Sequence, residues 1–113
     1  MKDNKYQVVE GLLYIYPVLQ NRIDNADIDL KLEKDESKIE KIKEEKERLQ
    51  LTKKKVELML NSLSISEREI INLKYIERLD WQQVEARLNR LSVRQLIRER
   101  NKIINEKLAF FIN

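Results

Sequence analysis

The chain has 113 residues, 42% apolar and 38% charged, with a formal net charge of +3, no Cys, no His, one Gly and one Pro. This composition excludes disulfides, thiol nucleophiles, Cys/His zinc sites and imidazole bases, and a single Gly excludes a glycine-rich phosphate loop. The length suits one domain, or one small domain with an appendage, and the scarcity of turn residues makes an all-α fold the economical reading.

Residues 1–20 carry acids ahead of their apolar stretch and no small-residue cleavage site, and no apolar run approaches a membrane span. A cytoplasmic chain that does not enter membranes is therefore expected. Residues 4–33 read as helix: Val9, Leu12, Tyr16, Leu19, Ile23, Ala26 and Leu30 recur at alternating steps of three and four. Pro17 lies inside this stripe, so the segment is either one kinked helix or two helices meeting near Tyr16. Residues 33–37 form a polar break, and Ser37 with Glu40 suggests a capping box opening a second helix over 38–61. Its seam is Ile39, Ile42, Leu49, Val56 and Leu60, with Lys46 and Lys53 standing where apolar residues are expected. So short a connection folds the two helices into an antiparallel hairpin, with arms roughly 35–45 Å long. A thin two-helix arm is poorly buried alone, which leaves either intramolecular packing or a homodimer to cover its seam.

After a second break at 61–65, Ser66 with Glu69 suggests another box, opening a third helix over 67–78. Ile70, Ile71, Leu73, Tyr75, Ile76 and Leu79 wrap much of its circumference, as expected of a central strut, against which Trp81 can pack. Asp80 with Gln83 caps the next helix, Val84 and Leu88 share one face, and Asn89 suits the left-handed residue that ends helices. Ser92 is a natural N-cap for a last helix over 93–112. On that helix Leu96, Ile97, Ile103, Ile104, Leu108 and Phe111 should point inward, and Arg94, Gln95, Arg98, Asn101 and Lys102 outward. Phe110, Phe111 and Ile112 would be an exposed patch unless docked on the hairpin or on a second subunit.

Two helices joined by a tight turn, the second one basic, form a helix-turn-helix pattern. Charge placement supports it. Residues 1–61 carry thirteen bases and thirteen acids, leaving ten bases and seven acids for 62–113. Arg87, Arg90, Arg94, Arg98, Arg100 and Lys102 face a single acid, Glu99, within 87–102. This asymmetry is the footprint of a nucleic-acid module, here 63–113, on a neutral support, here the hairpin of 1–62. The other carboxylates lie on polar faces beside lysines, which is ordinary solvation, so neither an enzyme nor a cofactor or metal site is expected.

Leu63, Glu67, Arg68, Glu69, Ile71, Tyr75, Leu79, Trp81, Val84, Leu88, Ser92, Leu96, Arg98 and Leu108 form a string that resembles region 4 of sigma-70-type factors. The string is more similar still to the small phage and prophage transcriptional regulators called ArpU-like and RinA-like. Tyr16 and Pro17 stand near a Tyr-Pro pair of those regulators. The chain departs from the pattern at Glu85, where a small residue is usual, and in a turn before Ser92 that is one residue longer. By position, the resemblance implies DNA contact at Ser92, Arg94, Gln95, Arg98 and Lys102. Charge placement selects the same face, on which Asn101 is also expected to contact DNA, and adds Arg87 and Arg90. The function expected is sequence-specific binding of double-stranded DNA, with 93–102 in the major groove. The rival expectations are an adaptor that docks on RNA polymerase, as the resemblance implies, and a component of phage DNA packaging akin to small terminase subunits.

Overall fold

The computed structural model describes residues 4–113, so Met1, Lys2 and Asp3 of the expected N-terminal arm lie outside it. The elements are α1 (Asn4–Leu32), α2 (Glu36–Asn61), α3 (Ile65–Ile71) continuing into a π-helical turn (Asn72–Ile76), α4 (Trp81–Leu88), α5 (Val93–Glu106) and a 3-10 turn (Leu108–Phe111). The fold is all-helical, an antiparallel α1–α2 hairpin followed by a C-terminal helical unit, and the described residues span 55 × 29 × 24 Å.

α1 runs through Pro17 without a break. Proline removes one backbone hydrogen bond, but Leu13 and Leu19 on either side are fully buried, and packing holds the helix together there. The buried set of α1 is Tyr6, Val9, Leu13, Leu19, Ile23 and Ala26. The stripe read from the sequence missed Tyr6 and Leu13, because a straight helix drifts away from a strict heptad. On α2, Lys46 and Lys53 fill their seam positions by pairing across the hairpin. Lys46 meets Asp27, and Lys53 donates to Gln20 Oε1 at 2.6 Å.

Two helix starts lie two residues earlier than expected. Asp35, not Ser37, caps α2, and its carboxylate accepts from the Ser37 N–H at 2.9 Å. A charged acceptor at the positive end of a helix outcompetes a hydroxyl two residues inward. Ser64 with Glu67, not Ser66 with Glu69, forms the box that opens α3. This leaves Ile65, at the first helical position, 90% exposed.

The strut expected over 67–78 is α3 plus the π turn. The Glu77 N–H reaches back to the Asn72 carbonyl at 2.8 Å, and Arg78 leaves the turn with φ 59°. The last helix ends at Glu106 rather than near Ile112. The 3-10 turn then folds Leu108, Phe111 and Ile112 onto the hairpin core, while Phe110 stays 86% exposed. Docking on the hairpin therefore holds for Phe111 and Ile112 and fails for Phe110.

The largest core draws on every long element. Tyr6, Val9 and Leu13 of α1 meet Val56, Met59 and Leu60 of α2, Leu63, Ile71 and Tyr75, and Ile103, Ile104 and Leu108. A smaller core of Ile70, Leu73, Val84 and Leu96 holds α4 against α5. Leu19, Ile23 and Leu49 form a third inside the arm.

Candidate nucleic-acid interface

Local chemistry fixes the α4–α5 corner. The Asp80 carboxylate accepts from the Gln83 N–H at 2.8 Å, and Gln83 Oε1 accepts from the Asp80 N–H at 2.9 Å. α4 ends at Asn89 in the left-handed region, φ 50° and ψ 33°, with its N–H on the Glu85 carbonyl. The chain turns through residues 89–92, and Ser92 opens α5. Ser92 Oγ accepts from the Gln95 N–H at 3.2 Å, and Gln95 Oε1 accepts from the Ser92 N–H at 2.9 Å. Glu85, singled out in the sequence as a large residue at this corner, reaches across it and accepts from the Val93 N–H at 2.8 Å. It joins α4 to the start of α5. It also places a carboxylate, and not a vacancy for phosphate, at the positive end of α5.

The outer face of α5 carries Arg94, Arg98 and Lys102 at steps of four, all exposed. They form a stripe about 12 Å long. Among the described residues no carboxylate pairs with any of these three. Gln95 is exposed beside them, with its Oε1 committed to the cap. The turn arginines differ. Arg90 pairs with Glu69 at 2.7 Å and Arg87 with Glu77 at 3.5 Å. The structure thus brings Arg94, Gln95, Arg98 and Lys102 onto one surface, with Arg87 and Arg90 at its edge held by carboxylates.

Asn101 does not point outward. It sits on the flank facing α1, where its Oδ1 accepts from the Tyr6 hydroxyl at 2.7 Å and from Arg100 Nε at 2.8 Å. Arg100, one of the six bases of the charged stretch, is also inward, with its side chain 13% exposed. Its Nη1 donates to the Tyr75 hydroxyl at 3.0 Å and lies 3.4 Å from Glu10 Oε2. Tyr75 in turn donates to Glu10 Oε2 at 2.7 Å. Burial, reinforced by the Glu10 carboxylate, pushes the Tyr75 phenol far above its ordinary value, so it remains a donor. Burial also raises Tyr6, against the opposing pull of Arg100. Two cations lie near the Trp81 ring, Arg100 at 5.2 Å and Lys74 at 5.0 Å from its centroid.

Sequence reasoning missed Tyr6 and Glu10, the bond from Val93 to Glu85, and the inward role of Arg100. One signal was present: Arg100 falls between Leu96 and Ile103 on the apolar face of its own helix. Among the described residues no three Asp or Glu side chains gather as a metal site requires, and no helix is long and apolar enough to cross a membrane.

Residues 19–108 match the family described as "Protein of unknown function (DUF722)". The chain belongs to this family. No curated protein and no solved structure matches it. The DUF722 match takes in α2, α3, α4 and α5 whole, hence the entire corner and the Arg94–Arg98–Lys102 stripe. It begins after the part of α1 that carries Tyr6 and Glu10.

Proposed function

We propose that this DUF722 protein binds double-stranded DNA in a sequence-dependent way as a cytoplasmic transcriptional regulator of phage type, with α5 in the major groove. The observation that carries the reading is the stripe of Arg94, Arg98 and Lys102, unpaired on a helix whose start is fixed by the Ser92–Gln95 box and by Glu85. Arginine in the groove favours guanine edges, worth about 1–3 kcal/mol of discrimination per bidentate contact. Lys102 holds phosphate. Arg87 and Arg90 reach phosphate by leaving Glu77 and Glu69, an exchange of one anion for another. The helix N-terminus is a weak phosphate site in this reading, because Glu85 and Ser92 already accept from the Val93 and Gln95 N–H groups.

Anisotropy of labelled duplex pools at two salt concentrations tests the proposal. Binding should weaken with salt along a log–log slope of about −3 to −5, as three to five phosphate contacts require. Arg94→Ala and Arg98→Ala should each weaken binding by at least about tenfold, and Lys46→Ala and Lys53→Ala should leave it unchanged. Equal affinity across all four variants would falsify the assignment.

A second reading, an adaptor that docks on a protein such as RNA polymerase, draws on a groove that adjoins the DNA face at Arg87. This open groove of about 440 Å³ has an apolar side of Leu63, Ile65, Leu73 and Leu88 and a polar side that includes Glu69, Glu77 and Arg87, with Ile65 almost wholly exposed at its edge. Recovery of polymerase by the wild-type chain and by an Arg94/Arg98 double variant alike, but not by Ile65→Glu, would favour the adaptor.

A further inference from the structure

Apolar contacts alone do not fix the roll of α5. Leu96, Ile103 and Ile104 bury its inner face, but apolar burial is non-directional. A roll of about 20° would shift atoms at the roughly 5–6 Å outer radius of a helix by about 2 Å. That exceeds the tolerance of a hydrogen bond to a base edge. The directional contacts of α5 at this level come from its flank. Arg100 offers a planar fork of donors, which is spent on Tyr75, Glu10 and Asn101 while its plane lies near Trp81. Asn101 is held at the same time by Tyr6. Two of these anchors, Tyr6 and Glu10, belong to the N-terminal half of α1, more than eighty residues earlier in the chain.

We infer that Glu10, through Arg100 and with Tyr6 on Asn101, is a positioning residue that sets the rotation of α5 and hence the base preference of Arg94 and Arg98. The inference rests on the DNA-binding reading above and gives α1 a part in it. The hairpin then orients the reading helix and does more than support it. Glu10 touches no DNA in this arrangement. Its effect appears in selectivity more than in overall charge attraction, because Arg87 and Arg90 lie off α5 and the long, flexible Lys102 side chain can follow a phosphate through so small a roll.

The test compares the full-length chain with Glu10→Ala, Glu10→Gln and Tyr75→Phe, each titrated on a selected duplex and on an unrelated one. The expected result for Glu10→Ala is a loss of about tenfold in the affinity ratio of the two duplexes, the worth of roughly one base contact, with an unchanged salt slope. Glutamine accepts the same two bonds, so Glu10→Gln should restore most of the ratio. Tyr75→Phe keeps the buried ring and removes the hydroxyl between Glu10 and Arg100, so it should lose selectivity even if Glu10→Ala does not fold. Trp81 is the single tryptophan, and its emission should shift in Glu10→Ala and Tyr75→Phe as Arg100 moves off the ring. A wild-type chain that discriminates between the duplexes, beside folded variants with the same ratio and the same emission, overturns this inference alone. A wild-type chain that binds neither duplex overturns the DNA reading and this inference with it.

Discussion

The two ends of the hairpin are made from the same pair of helices and are held by different physics. At the base, Val9 and Leu13 of α1 and Val56 and Met59 of α2 are completely buried, because α5, the π turn and the 3-10 turn close over them. In the distal half only Leu19, Ile23 and Leu49 gather. There the cross-hairpin contacts are Lys53 to Gln20 and Lys46 to Asp27, both partly exposed. Burial of a large apolar side chain contributes about 1.5–3 kcal/mol, whereas exposed ion pairs contribute about 0–1 kcal/mol. Cooperative stability therefore belongs to the base, and the arm opens locally at lower cost. The candidate DNA surface lies on the base, where α5 is held from within.

The sharpest way to break this contrast is to empty one site in each region. Ile104→Ala leaves a cavity in the main core and should cost about 2–5 kcal/mol, read as a fall in the denaturant midpoint at constant slope. Leu49→Ala lies in a seam that can collapse and should cost less, about 2 kcal/mol or under. Hydrogen exchange should show the loss confined to amides of the arm. Equal penalties, or an arm that exchanges only by global unfolding, would erase the distinction.

A gain in the arm sharpens it from the other side. Lys46→Leu replaces an exposed pair with apolar contact at a seam position and should add up to about 1 kcal/mol to arm protection. It should leave the exchange of α5 amides unchanged. If α5 becomes more protected as well, arm and base form one cooperative body.

The backbone at the end of the π turn offers a smaller test. Arg78 holds φ 59° and donates through Nη2 to the Tyr14 carbonyl at 2.7 Å. Arg78→Ala loses the bond and keeps the strain, and Arg78→Gly loses the bond and relieves it. The glycine variant should be the more stable of the two by about 1 kcal/mol in thermal unfolding. Equal stability would mean that the left-handed turn is not retained in the variants.

What could be read from the sequence was the local part. Asp80 with Gln83, Asn89 and Ser92 each satisfy backbone groups within four residues, so their spacing alone placed the corner. The caps at α2 and α3 were displaced for a related reason. Ser64, Ser66, Glu67 and Glu69 contain two overlapping box patterns, and the choice falls to Leu63, which the Ser64 cap delivers to the main core. The π turn and the bend at Lys107 answer to packing partners distant in sequence, and no window of neighbouring residues contains them. The candidate site divides in the same way. The exposure of Arg94, Arg98 and Lys102 follows from helical period, while the inward turn of Arg100 and Asn101 depends on Tyr6 and Glu10.

The smallest expected effect ties the start of α3 to the end of the chain. Glu67 accepts from the Ser64 N–H and pairs with Lys107, at the bend that sends Leu108 and Phe111 into the core. The hydrogen bond to Lys107, followed by the one from the Ser64 backbone, holds the Glu67 carboxyl below its usual value. A carboxyl lowered in the folded state stabilises the fold above its unfolded value of about 4.3, and the contribution is lost as pH falls through the lowered folded value. Glu67→Gln still accepts from Ser64 but cannot titrate or pair with a cation. The wild-type chain should therefore melt above the Gln variant near neutral pH, and the gap should close as the solution is acidified below about pH 4. Parallel melting curves down to that range would show that Lys107 is held by packing at the bend and not by Glu67. The base would then owe its closure to apolar contact alone.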